Sequence, residues 1–266
     1  MNRQAQAAVL FLLGVALLHA GFTDLYLRYV KAGLRPLLLV AGVVLIAAAI
    51  ATVWYELRGA RAARESRESE ESEESEQGRE SRPEREHLEH YADHGGHAHR
   101  EPGISWLLVL PLLALILVAP PALGSYSAMR TGTALQPPWG FPALPAGAPL
   151  RLSVADYAGR AAYDHGRSLG DRRVTLTGFL ALDRGGDPYL VRMTLSCCAA
   201  DAQPIKIGLS GRIPPVLQPD TWVQVTGTYT AKRTKDPVNG GAIPFLDISR
   251  VRPVPAPHDP YEDWTG

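Results

Sequence analysis

The chain is short of cysteine, with 2 in 266 residues. They are adjacent, Cys197 and Cys198, which excludes a disulfide framework and the paired CxxC spacing of structural zinc sites and thiol oxidoreductases. Net charge is also absent, with 27 Lys and Arg against 27 Asp and Glu. That removes the general electrostatic case for a nucleic-acid partner. A Ser-His-Asp pattern, a phosphate-cradling glycine loop and an HExxH helix are missing too, so the expectation is a protein that is not an enzyme.

The charges that exist are unevenly spread. Residues 56–101 hold 22 of the 54 charged side chains, 14 acidic and 8 basic. The mean hydropathy near zero therefore averages two different populations. A membrane helix needs about 20 largely apolar residues to cross a core roughly 30 Å thick. Three stretches qualify: residues 5–22, where His19 is the titratable group; residues 36–55, with no charge; and residues 104–123. Pro111 should kink the third, and Pro120 and Pro121 should end it. Trp54, Tyr55 and Trp106 lie at segment ends, where aromatic side chains favour the lipid–water interface. The first stretch could instead be a signal peptide cut after Ala20, but residues 23–35 would then lead as a free N-terminus straight into another membrane helix. Hydrophobicity around the full circle of the third argues against a soluble helix.

Orientation follows from Lys and Arg close to helix ends. Arg3 precedes the first stretch, and Arg58, Arg61, Arg64 and Arg67 follow the second. Arg28, Lys31 and Arg35 in the first connecting loop pull the other way, while Arg130 alone closely follows the third stretch. The balance predicts the N-terminus and the charged segment inside the cell, with everything after about residue 125 outside.

Residues 56–103 are rich in Ser, Glu and Arg and have little to bury, so the reading is a linker that is disordered or transiently helical. At its end stand five of the eight histidines, His87, His90, His94, His97 and His99. Neutral imidazole is the commonest protein ligand for zinc, copper and nickel. On a helix the first three would share a face, and Gly95-Gly96 would let the last two fold back. That makes a weak exchangeable metal site, or a tract that binds metal only as any run of histidines does.

Residues 125–150 read as a Pro/Gly-rich linker, and residues 151–266 as a separate small all-β domain outside the cell. A short helix is expected at 154–167, then strands at 173–182, 189–196, 204–209, 221–229 and 243–252 from alternating and β-branched patterns. Two strands contain V-T-L-T-G and V-Q-V-T-G, whose glycines suggest a bend or bulge. Five such strands fit an OB-like barrel, making the fold class a membrane protein with three transmembrane helices and an OB-like C-terminal domain. The Cys-Cys pair ends the second strand. Adjacent strand side chains face opposite ways, so the two thiols could share an ion only if the chain turns there. Cys197, Cys198 and Asp201 could then converge on a soft or borderline metal, zinc or copper. A vicinal disulfide or a purely structural turn capped by Asp201 are the other readings.

The chain resembles the YcgQ-like family of bacterial permease subunits. The similarity lies in residues 26–36, in P-L-L…P-P-A-L-G-S (111–125), in V-T-L-T-G-F (174–179), in R-M-T-L-S-C-C-A-A-D-A-Q-P (192–204) and in D-T-W-V-Q-V-T-G (220–227). It leaves out the charged linker and its histidines. The resemblance implies membrane helices followed by a soluble domain, and an accessory role beside a larger permease subunit in the plasma membrane. It also implies functional weight on Cys197, Cys198 and Asp201. The alternative is a membrane-anchored metal-binding module that uses the His-rich linker and the Cys-Cys turn.

Overall fold

The computed structural model describes residues 3–77, 122–147, 149–214 and 216–263, and the chain divides into two compact units. Residues 104–121 of the third apolar stretch and the five linker histidines lie outside the described residues.

The first unit holds all but the facing ends of helices α1 (Arg3–Phe22) and α2 (Arg35–Gln77), taking their residues up to 19 and from 37. At about 1.5 Å per residue, the 20 residues of α1 match a bilayer core. Both helices are long and apolar enough to cross a membrane. On α2, Leu37, Val40, Val43, Val44, Ile50 and Val53 are exposed, an arrangement suited to an apolar solvent rather than to water. The helices meet where small residues permit it: a Cβ on Gly14 would lie 2.6 Å from Ile46, and one on Gly42 would lie 2.9 Å from Leu18. The helix α2 does not stop with the apolar stretch at Tyr55 but continues to Gln77, into the segment read as disordered or transiently helical. Its Glu and Arg are good helix formers even where they have no core to bury.

The second unit comprises residues 20–36 and 120–266. Its strands are β1 (Leu150–Arg151), β2 (Val174–Leu182), β3 (Pro188–Leu195), β4 (Gln203–Ser210), β5 (Trp222–Lys235), β6 (Ala242–Pro253) and β7 (Tyr261–Asp263). The strand β2 pairs with β5, β5 with β6, β6 with β4, β4 with β3, and β3 again with β2. That ring is a closed five-stranded barrel, in agreement with the OB-like expectation. The two glycines act where the pattern suggested. Gly178 sits where β2 passes from β5 to β3, and a Cβ there would be 2.6 Å from the Val191 carbonyl oxygen. Gly227 stands at a register shift in β5.

The barrel interior is filled by Leu176, Leu180, Leu190, Ile205, Ile207, Val223, Val225 and Leu246. Helix α4 (Val154–Tyr163) packs against this core through Val154, Tyr157, Ala158 and Ala161, and helix α3 (Ser125–Arg130) packs on β2. Tyr157 donates to the Phe245 carbonyl at 2.7 Å. The Ser153 hydroxyl caps α4 by accepting from Asp156 N at 2.9 Å. The helix ends earlier than residue 167 because His165 and Gly166 adopt positive φ, 54° and 70°. A second apolar layer (Phe179, Ala181, Val191, Met193, Leu195, Ile243 and Tyr261) covers the outer face of β2 and β3 together with Ala128. Strands buried on both faces lose polar alternation, which is why β2, β3 and β4 are almost continuously buried.

Two further devices hold the unit together. Lys206 and Asp236, both fully buried, pair at 2.7 Å; Lys206 also donates to the Thr131 carbonyl, and Asp236 accepts from Thr133 N. The terminal strand β7 lies parallel to β3 and aims Glu262 at α4, where its carboxylate accepts from Val154 N at 3.0 Å and Ala155 N at 3.1 Å.

Candidate metal site at the Cys197 turn

Between β3 and β4 the chain reverses through residues 196–202, with one 3-10 turn at Ala199–Asp201. The turn is built on one carboxylate. Asp201 accepts from Ser196 N at 3.0 Å, from Cys197 N at 2.8 Å and from Cys198 N at 3.5 Å, drawing three successive amides toward a single charge. This reversal solves the geometric problem that a straight strand would pose. The Cys197 and Cys198 sulfurs and an Asp201 carboxylate oxygen lie within 4.8 Å of one another. Cys197 is exposed and Cys198 half-buried, both as free thiols.

The electrostatics follow from that crowding. Hydrogen bonding to Asp201, then contact with Cys198, push the Cys197 thiol up to about 11. The reciprocal bond from Cys197, together with the backbone donors, holds the Asp201 carboxyl below its ordinary range. Two thiolates and a carboxylate crowded together repel one another, so a cation is the natural counter-charge once the protons leave. For tetrahedral zinc, Zn–S near 2.3 Å and Zn–O near 2.0 Å require ligand–ligand spacings of roughly 3.5–3.8 Å. The three donors, all within 4.8 Å of one another, would need to close by no more than about an ångström to reach that spacing. They would occupy three positions and leave one open.

The turn is not free-standing. The segment between α1 and α2, residues 23–34, runs along it. Lys31 N donates to the Cys197 carbonyl at 3.0 Å and Ala199 N donates to the Tyr29 carbonyl at 2.7 Å, making an antiparallel bridge between Val30 and Cys198. The segment is shaped by a 3-10 turn at Asp24–Arg28 with Tyr26 and Leu27 buried. It is braced at its base by Arg35 Nε, which donates to the Gly21 carbonyl at 3.0 Å. The barrel holds it at two other points: the Tyr261 hydroxyl donates to the Arg28 carbonyl at 2.9 Å, and His258 Nε2 lies 2.7 Å from Asp24 Oδ2.

Of the residues singled out in the sequence, Cys197, Cys198 and Asp201 are brought together, while His87, His90, His94, His97 and His99 lie outside the described residues. Residues 29–31 and Tyr261 escaped sequence reasoning. The available signal was that residues 26–36 carry part of the family resemblance.

Residues 156–262 match the DUF1980 C-terminal domain. The matched span starts inside α4 and ends at Glu262 in β7, covering the whole barrel and the Cys197 turn; it is consistent with the YcgQ-like resemblance. No curated protein and no solved structure matches the chain.

Proposed function

We propose that the chain is a membrane-anchored accessory subunit of a transport complex, whose external barrel takes up a thiophilic metal ion, zinc or copper, at Cys197, Cys198 and Asp201. The observation that carries this reading is the convergence of two thiols and one carboxylate within 4.8 Å on an accessible turn. Thiolates select soft and borderline ions. Three protein ligands suit a site that passes its ion on better than a closed structural site, which uses four. The transport half of the proposal draws on the family resemblance and on two helices able to anchor the barrel.

Connectivity supports a third crossing by residues 104–123. The loop at residues 29–31 hydrogen-bonds to the turn at 197–199, so loop and barrel share one side of the bilayer. Helix α2 leads away from that side, and the chain must cross again to reach the barrel. With Arg58, Arg61, Arg64 and Arg67 held inside, the shared side is the exterior.

The test is titration of the purified full-length chain with zinc(II) and copper(I), beside the Cys197→Ser variant. Tight binding lost in the variant is the expected result, with any weaker phase from the five linker histidines left in place. Binding unaffected by Cys197→Ser removes the site. Co-purification of a larger membrane protein from native membranes tests the accessory role.

A further inference from the structure

The metal reading leaves unexplained why the segment joining two apolar helices should bond to the turn that carries the thiols. Both bonds fall on the backbone of the ligand residues and their neighbour: Lys31 N to the Cys197 carbonyl, and Ala199 N to the Tyr29 carbonyl. Cys198 lies between them, paired with Val30. The turn conformation that presents this carbonyl and this amide to the loop is the same one that brings the sulfurs of Cys197 and Cys198 to one side with Asp201. A relaxed, strand-like 197–198 would lose both properties together, because neighbouring side chains would diverge and the edge groups would shift register.

Resting on that metal reading, we propose that the loop between α1 and α2 is a clamp on the metal site: loop docking and ion occupancy favour the same conformation of the turn, and each stabilises the other. Two events that select one state of a shared element are coupled, and the coupling is reciprocal. The loop therefore preorganises the site for its ion. An ion arriving at the barrel in turn tightens the short connection between two membrane helices, whose base is closed by Arg35 on the Gly21 carbonyl. Occupancy outside the bilayer is thereby reported to segments within it.

Lys31 allows a direct test. Its φ of −58° already suits proline, so Lys31→Pro deletes the N–H donor without forcing the backbone, while Lys31→Ala keeps the donor and removes the same side chain. Zinc affinity is measured on the full-length chain in lipid nanodiscs, for wild type and both variants. The expected result is affinity about tenfold weaker in Lys31→Pro than in Lys31→Ala. Hydrogen exchange on the wild type supplies a measurement independent of any variant: zinc should slow exchange at the amides of Lys31 and Ala199 together. Zinc binding that depends on Cys197, with equal affinities in the two variants and unchanged exchange at residues 29–34, overturns the clamp and leaves the metal site standing. Failure of the wild type to bind zinc through Cys197 overturns the metal reading and the clamp with it.

Discussion

Asp201 has two roles that pull against each other. As a turn former it accepts three backbone amides, and as a neighbour of Cys197 it keeps that thiol protonated. At pH 7.5 a thiol pushed up to about 11 carries roughly a hundredfold less thiolate than one at the ordinary value near 9. An exposed cysteine would normally alkylate readily; Cys197 should not. In a Cys198→Ser background, iodoacetamide labelling followed by mass spectrometry should be slow at pH 7.5, and Asp201→Asn should speed it by about tenfold or more by removing the charge. Labelling no faster in Asp201→Asn would mean that the carboxylate does not control the thiol. The convergence of these three residues was partly legible, because Cys-Cys followed by Asp names both the donors and the residue able to turn the chain. The clamp was not legible. Tyr29, Val30 and Lys31 engage the turn through backbone atoms, which every residue type possesses, so the sequence carries no chemical mark of the contact.

At the scale of elements, the five barrel strands could be read from β-branched and alternating runs, and the helix α4 from its amphipathic spacing. The strands β1 and β7 could not, since two or three residues are too few to show a period. Yet β7 positions Glu262, whose carboxylate caps α4 and faces Arg192 at 3.5 Å, both side chains being mostly buried. Glu262→Ala should therefore destabilise the fold by about 3 kcal/mol, because it strands a buried guanidinium and leaves the Val154 and Ala155 amides of α4 without their acceptor; thermal melting of the full chain in micelles measures it. The pair has a pH signature as well. Burial raises the Glu262 carboxyl above 4.5, so the folded state holds this proton more tightly than the unfolded one. The resulting stabilisation is complete below 4.5 and is lost as pH rises through the raised folded value. Relative to Glu262→Gln, which has no proton to lose, the wild type should lose stability on going from pH 4 toward neutrality; a difference constant across that range would show that Glu262 titrates normally. The contact between α1 and α2 gives a simpler comparison. A side chain at Gly42 meets Leu18 at 2.9 Å, whereas one at Gly59 meets nothing within 4 Å. Gly42→Leu should lower the melting temperature of the helix pair in micelles, and Gly59→Leu, which only gains helix propensity, should not.

For the whole molecule, two facts of different origin constrain each other. Apolar length, visible in the sequence, says which segments can cross a bilayer; hydrogen bonds between residues far apart in the chain say which segments must share a side. The loop after α1 and the barrel are joined by the bonds of Lys31, Ala199 and Tyr261, so an even number of crossings must separate them. Helix α2 is long and apolar enough to supply one, and residues 104–123 are the remaining apolar stretch of sufficient length for another. Charge counting alone left the direction contested, because Arg28, Lys31 and Arg35 sit in the very loop that should face outward. Contacts within the loop ease part of that conflict: Arg35 Nε donates to the Gly21 carbonyl and the guanidinium stands 5.9 Å from the Tyr26 ring. Alkaline phosphatase fused after Gly103 should be inactive, and fused after Asp263 active, since the enzyme matures only outside the cytoplasm. Deleting residues 104–121, which spares Leu123 and its bond to the Tyr261 hydroxyl, should silence the second fusion and, by leaving the barrel on the wrong side of its loop, abolish zinc-dependent protection of the Lys31 amide. Active fusions at both positions would mean that residues 104–123 do not cross; loop and barrel would then lie on opposite sides of the membrane, and the clamp could not form in the cell.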